Sequence, residues 1–248
     1  MSKIIFLGTN GWYDSKTGNT PSVLIENEEY YLILDAGNGI SKLNNYIDSD
    51  KPVYLFLSHF HLDHISGLHT LFKNKFSKGL YIIVQDGGED FLKKFINSPF
   101  TVPIKQLPFN VEIIEVGKIS KELPFKASFL PLKHSIEVLG IRLEINNKII
   151  TYCTDTAECQ NAITLAKYAD ILITECSMAP NVEKDAKVHL NPQMAARLAK
   201  EAEAKNLYLM HFDASTYTNK EMRIEAELSA KQTFSNSFAT FDGMEVEL

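Results

Sequence analysis

The sequence predicts an α/β fold, and three observations predict it. Short apolar runs bounded by Gly, Pro, Asn and Asp alternate with segments of helical apolar spacing. At 248 residues and 45% hydrophobic content, the chain can bury a large core. Five of its seven histidines stand just past the ends of apolar runs, as ligands gathered on one rim of a sheet would. Length alone allows one large domain or two small ones. No composition shift marks a linker and no repeat breaks the chain, so residues 1–248 read as one domain.

Charge and cysteine usage narrow the setting. Acidic residues number 31 against 25 basic ones, a net charge of −6 with a pI near 5.7. Proteins that track phosphate backbones carry basic patches, so a long nucleic acid is disfavoured as a partner. Cys153, Cys159 and Cys176 are odd in number and lack C-x-x-C spacing, and they read as buried thiols in a reducing compartment. The N-terminus enters a strand without a secretory h-region, and no apolar run approaches membrane-spanning length. A soluble cytoplasmic protein without a membrane partner is expected.

Taken in order, residues 4–7 form a short strand ending at Gly8-Thr9, and 10–21 have the Gly, Asn, Thr and Ser content of a loop. Strands over 22–26 and 30–34 flank Asn27-Glu28-Glu29 as an antiparallel hairpin closed by Asp35-Ala36-Gly37. A helix over 40–47 precedes a buried strand over 53–57, and helical spacing resumes over 65–76. A strand over 80–84 and a helix over 88–96 come next, then strands over 111–116, 125–130, 138–145 and 148–152. A helix over 157–168, a strand over 170–174, a helix over 191–204 and a strand over 207–210 complete the pattern.

The most informative stretch is Ser58-His59-Phe60-His61-Leu62-Asp63-His64, directly after the strand over 53–57. His59 and His61 stand two apart, so an extended backbone points both the same way. Asp63 and His64 are adjacent and must sit where the chain turns out of that geometry, on a strand-to-helix loop. Two ligand pairs can then face two ions, and mixed imidazole and carboxylate donors suit Zn, with Mn and Fe as alternatives. Asp35, Asp155 and Glu175 share the strand-end placement with His59, His61, His64, His134 and His211. Asp35 has two readings: it caps the helix over 40–47, or it accepts the free N–H of a metal-bound imidazole. His69, on a helix, reads as structural.

The ordered set Asp35, His59-x-His61-x-Asp63-His64, His134, Asp155 and His211 resembles the five-motif signature of the metallo-β-lactamase superfamily. The resemblance implies an αββα sandwich of two mixed sheets flanked by helices, with metals at one edge. It narrows toward the ribonuclease Z-like phosphodiesterase branch. Phe6-Leu7-Gly8-Thr9 with Gly18-Asn19-Thr20-Pro21-Ser22, Glu175, and His189-Leu190-Asn191 opening a helix are similar to elements of that branch, as is the C-terminal segment from Phe234. Asn191 stands where the branch has Thr.

The resemblance implies that His59, His61 and His134 hold one metal and Asp63, His64 and His211 the other, with Asp155 bridging. It favours the imidazole-binding reading of Asp35. A water shared by two cations about 3.5–4 Å apart becomes hydroxide near neutral pH, aimed at phosphorus. Asp63, Glu175 and His189 are then the catalytic set, with His189, oriented by Glu175, as the general acid for the departing alkoxide.

Departure from the branch bears on substrate. Transfer-RNA-processing members carry a long arm between the motifs of His134 and Asp155, whereas here 20 residues separate the two and read as a hairpin. A small phosphodiester is expected, and the armless relatives most similar are the anti-Pycsar cyclic-nucleotide phosphodiesterases. Hydrolysis of a 3′,5′-cyclic mononucleotide to the 5′-monophosphate follows, with Trp12 and Phe60 as candidate base-stacking residues. A homodimer is expected by analogy with these enzymes. The alternatives are a tRNA 3′-end endoribonuclease, a lactonase or thioesterase, against which the pair Glu175 and His189 counts, and a nucleotide-binding metalloprotein without turnover.

Overall fold

The computed structural model describes residues 2–47, 50–119 and 123–248, and the chain divides into two compact units. The first comprises Met1–Gly8, Asn19–Glu122 and Asp242–Leu248, the second Thr9–Gly18 and Leu123–Phe241. The fold is α/β with two main sheets, both mixed, and flanking helices.

The sheet of the first unit runs, in spatial order, Glu245–Glu247, Lys3–Gly8, Ser22–Glu26, Tyr31–Leu34, Val53–Phe56, Leu80–Val84 and Val111–Glu115. Its first three pairings are antiparallel and the remaining three parallel. Tyr31–Leu34 and Val53–Phe56 are buried at every residue, as central strands covered on both faces must be. Helical segments Asn38–Asn45, Ser66–Lys73 and Gly88–Phe95 supply Ile40, Leu43, Leu68, Leu71 and Leu92 to one core with Leu24, Ile33, Leu55 and Ile82.

Two helices expected here differ in kind. Asn38–Asn45 and Ser66–Lys73 are 3-10 helices, and an α-turn, Leu62–Ile65, starts inside the histidine motif. The reason is a backbone clasp. The carbonyl of His64 accepts from Ala36 N at 2.8 Å, and Gly67 N, the donor that would continue the α-turn by bonding to Asp63, goes instead to the carbonyl of Ala36 at 2.9 Å. Only glycine fits where the strands meet: a Cβ on Gly37 would lie 2.2 Å from the carbonyl oxygen of Asp63.

The sheet of the second unit runs Ser237–Ala239, Leu207–Met210, Ile171–Glu175, Lys148–Cys153, Val138–Ile145 and Lys126–Leu132. The first three pairings are parallel and the last two antiparallel. Two reversals leave Lys126–Leu132 running in the same direction as Lys148–Cys153. The strands preceding His134, Asp155 and His211, and the one ending in Glu175, therefore finish on one rim. The hairpin joining Val138–Ile145 to Lys148–Cys153 turns on Asn146 and Asn147, both left-handed at φ 50° and 62°, as a two-residue type I′ turn requires.

Helices Gln160–Ala166, Pro192–Glu201 and Lys220–Lys231 contribute Ala162, Ala195, Ala199, Ala226 and Ala230 to a core with Leu172, Leu207 and Leu209. Such small residues let a helix lie close to a sheet. Pro192 occupies the first turn, where its missing N–H loses nothing, and Asn191 caps it by accepting from Met194 N at 2.9 Å.

Several elements escaped the sequence pattern. Lys220–Lys231 buries alanines and exposes Ile224 and Leu228, which blurs its apolar period. Asn10–Gly11, inside the expected loop, is a two-residue strand paired with Phe212–Asp213 some 200 positions on, a pairing with no local signal. Ser237–Ala239 and Glu245–Glu247 are short sheet-edge strands. Cys153 and Cys176 are buried, but Cys159 is only half-buried at the start of its helix. Among the described residues no helix is long and apolar enough to cross a membrane.

Candidate metal centre

In the first unit the ligand-type side chains are built around Asp35. This residue ends its strand in the left-handed region, φ 60°, a conformation that costs a non-glycine residue about 1–2 kcal/mol. Its Oδ1 accepts Ser58 N at 2.7 Å; its Oδ2 accepts Ser58 Oγ at 2.8 Å and His64 Nδ1 at 2.7 Å. Because the Ser58 hydroxyl donates to Asp35, its lone pairs receive the Nδ1–H of His59, 3.0 Å away. Both imidazoles are thus held as Nδ1–H tautomers, with the Nε2 lone pair as the metal-binding position.

The neighbouring ligands gather at once. The His59 ring lies 4.6 Å from that of His61 and 4.2 Å from that of His64, centroid to centroid. Asp63 Oδ2 lies 3.5 Å from His64 Nε2. His59 and His61 are in the extended segment, as spacing implied, but Asp63 and His64 sit in the turn Leu62–Ile65 rather than in a loop. Phe60 is half-buried, its ring 5.4 Å from that of Phe91 and in contact range of Gly88.

In the second unit Asp155 stands between two imidazoles. It follows its strand at φ 47°, with Oδ1 at 2.9 Å from His211 Nε2 and Oδ2 at 3.7 Å from His134 Nε2. Each carboxylate oxygen faces a different ring. His134 Nδ1 donates to the carbonyl of Val188 at 3.0 Å. His211 Nδ1 donates to Ser177 Oγ at 3.0 Å, whose own hydrogen goes to the His211 carbonyl at 3.1 Å. Again both rings are fixed with Nε2 as the lone-pair nitrogen. Burial lowers the pKa of His134 from its ordinary value, an effect that nearby Asp155 offsets only in part, and so favours the neutral ring, the form that ligates.

Glu175, fully buried, collects four donors. Oε1 accepts Thr156 N at 2.6 Å and Oε2 accepts Leu190 N at 3.2 Å and Ser177 N at 3.3 Å. His189 Nδ1 lies 2.9 Å from Oε1 and 3.1 Å from Oε2. Burial lowers the affinity of His189 for a proton, but the charge and hydrogen bond of Glu175 outweigh it and hold the imidazole above its ordinary pKa. The His189 ring is 5.2 Å from His134 and 6.2 Å from His211, so an imidazole inclined to carry a proton sits among those inclined to bind metal. Trp12 is 65% exposed, edge-on to Tyr13 at 5.2 Å, and left-handed at φ 71°.

Sequence reasoning assigned no role to Ser58 or Ser177, the hydroxyls that orient His59 and His211. Ser58 was visible as the residue between a buried strand and the first histidine; Ser177, two residues past Glu175, carried no signal. Each unit therefore presents a His/Asp set with the donor chemistry of a zinc-type ligand field: His59, His61, Asp63 and His64 in the first, His134, Asp155 and His211 in the second.

Comparison with known proteins agrees with this chemistry. The beta-lactamase superfamily domain matches residues 30–212. The chain is 26% identical over 216 residues to a probable metallo-hydrolase, YhfI, of Bacillus subtilis, covering 84% of this chain and 86% of that one. It is also 26% identical over 306 aligned positions to ribonuclease Z of Bacillus velezensis, covering 98% of both. The crystal structure of YhfI superposes with a TM-score of 0.79 at 24% identity over all of both chains, and human tRNase Z, short form, with 0.74 at 21% over 99% of this chain and 98% of that one. By the family match and the ligand chemistry together, this chain belongs to the beta-lactamase superfamily and is a metal-dependent hydrolase.

Proposed function

We propose that the protein hydrolyses small phosphodiesters, with 3′,5′-cyclic mononucleotides as the substrate class, using two divalent ions. By the resemblance of the motifs, His59, His61 and His134 would hold one, Asp63, His64 and His211 the other, and Asp155 would be shared. When bound, such ions neutralise phosphate oxygens and acidify water.

The observation that carries the reading is the pair His189 and Glu175. Metal binding needs no proton donor, whereas cleavage of a phosphodiester needs one for its leaving alkoxide. Glu175 keeps His189 Nδ1 engaged at 2.9 Å and raises the imidazole's pKa, so the proton to be transferred sits on Nε2. Water adds to phosphorus, the P–O3′ bond breaks, His189 protonates O3′, and the carboxylate of Asp63 accepts the proton of the attacking water. The product is the 5′-monophosphate.

The short hairpin supports a small substrate. Val138–Ile145 and Lys148–Cys153 are joined by Asn146 and Asn147 alone, leaving no arm between His134 and Asp155 to grip an RNA body. The alignment to ribonuclease Z runs over 306 positions, more than the 248 residues here, so that relative carries segments this chain lacks. The same relative, aligned across 98% of the chain, favours a second reading, tRNA 3′-end endonuclease.

Turnover of cyclic CMP, UMP, AMP and GMP, with bis(p-nitrophenyl) phosphate and a precursor tRNA beside them, after loading with Zn or Mn, tests both readings. Cleavage of one or more cyclic nucleotides is expected. Precursor tRNA cleaved with all four cyclic nucleotides untouched would replace the first reading by the second; the generic diester alone would retain the chemistry and reject the substrate.

A further inference from the structure

Arg223, on helix Lys220–Lys231, is completely buried, where a guanidinium is costly unless its donors are met. Nη1 donates to Thr9 Oγ1 at 2.8 Å and to the carbonyl of Thr240 at 3.1 Å, and Nη2 donates to Asn10 Oδ1. Its plane lies over the Phe212 ring, 4.6 Å from the centroid, with Phe241 at 5.7 Å.

These contacts converge on His211 from both sides. Phe212 is its covalent neighbour, and Phe212 N bonds to the carbonyl of Thr9 at 3.0 Å. Asn10 and Gly11 pair in register with Phe212 and Asp213. Gly11 then lies against the imidazole itself: a Cβ there would stand 2.6 Å from both Cε1 and Nδ1 of His211. Asn10 also pins the following loop, its Nδ2 donating to Ser15 Oγ and the Gly18 carbonyl, both at 2.9 Å. His211 is held at φ 51°, a strained conformation that persists only when its surroundings over-determine it.

We infer that Arg223 is a positioning residue for His211: through Asn10–Gly11 on one side and Phe212 on the other, it fixes where Nε2 points and so sets the affinity of one metal ion that it does not touch. The inference rests on His211 being a ligand in the reading above. A clamp of this kind acts on a ligand's orientation, and loss of such support lowers metal affinity by about 10- to 100-fold.

The test is competitive chelator titration with Zn and metal counting by mass spectrometry, on the wild-type chain and on Arg223→Met, Arg223→Lys and Gly11→Ala, with circular dichroism to confirm folding. Wild-type protein should bind two equivalents; if it binds none, the metal reading fails, which is a separate result from failure of the clamp. Arg223→Met and Gly11→Ala should weaken one equivalent by about 10- to 100-fold and leave the other unchanged, with Arg223→Lys falling between. A merely structural arginine would lower the thermal midpoint and leave both affinities at wild-type values, and that outcome overturns the inference. Should Arg223→Met not fold, Arg223→Lys decides, since it keeps the stem and charge but loses the two-pronged bond. Wild-type affinity for both equivalents in Gly11→Ala would also overturn it, because the contact that transmits the clamp would then carry nothing.

Discussion

Asp35 accepts the Nδ1–H of His64 at 2.7 Å with neither side chain reached by solvent, and the same carboxylate reaches His59 through the hydroxyl of Ser58. One buried acid thus sets the orientation of two imidazoles. Its contribution has two parts, one to ligand basicity and one to satisfying buried donors.

The two parts separate by substitution. Asp35→Asn keeps one acceptor oxygen, turns the other into a donor and removes the charge, so metal affinity should fall by about 10- to 100-fold with a smaller loss of stability than in Asp35→Ala. Asp35→Ala leaves Ser58 N, Ser58 Oγ and His64 Nδ1 to find other acceptors in a dry site, at about 1–3 kcal/mol for each donor left unmet. Chelator competition reads the first effect and urea denaturation the second. Equal stability of the two variants would refute the distinction.

His189→Ala should lower kcat by about 10²- to 10⁴-fold, the usual contribution of a general acid, while metal content stays at the wild-type value. Loss of metal together with rate would make His189 a ligand instead.

The pH profile carries the sign of the Glu175 effect. As the general acid of the proposed reaction His189 would act when protonated, so its limb of the rate profile should fall as pH rises through its pKa. Burial lowers that pKa, and Glu175 more than reverses the effect. Glu175→Gln removes the charge and leaves the burial, so the alkaline limb of kcat/KM should move toward lower pH. A limb that stays in place would detach Glu175 from the acid.

Thiol chemistry should divide three cysteines into two classes. Burial pushes the Cys176 thiol up to about 12, and Cys153 is raised further still by the same cause, whereas Cys159 is half-buried. Only the thiolate reacts. Alkylation of the native protein, followed by peptide mass spectrometry, should mark Cys159 first, with Cys153 and Cys176 modified only on unfolding.

The hairpin at Asn146 and Asn147 offers a local stability test. Both residues are left-handed, so Asn147→Gly should hold or raise the thermal midpoint, and β-branched Asn147→Val should lower stability by about 1–2 kcal/mol. Equal midpoints for the two variants would mean that the turn is not type I′ in solution.

What the sequence determined by itself was chemistry and position along the chain. His59, His61 and Asp63-His64 after a buried strand, and Asp155, Glu175 and His211 at later strand ends, were legible because the donor types are rare and apolar runs mark strands locally. The hairpin over 138–152 was legible for the same reason. Tertiary structure decided the rest, because it depends on contacts remote in sequence. No local pattern shows that Ser58 and Ser177 fix the tautomers of His59 and His211, or that Gly67 N, taken by the carbonyl of Ala36, stops the α-turn at Ile65. Nor does any local pattern pair Asn10–Gly11 with Phe212–Asp213 beneath a buried Arg223. Residue type fixes what a side chain can donate or accept; only the folded chain fixes what it faces.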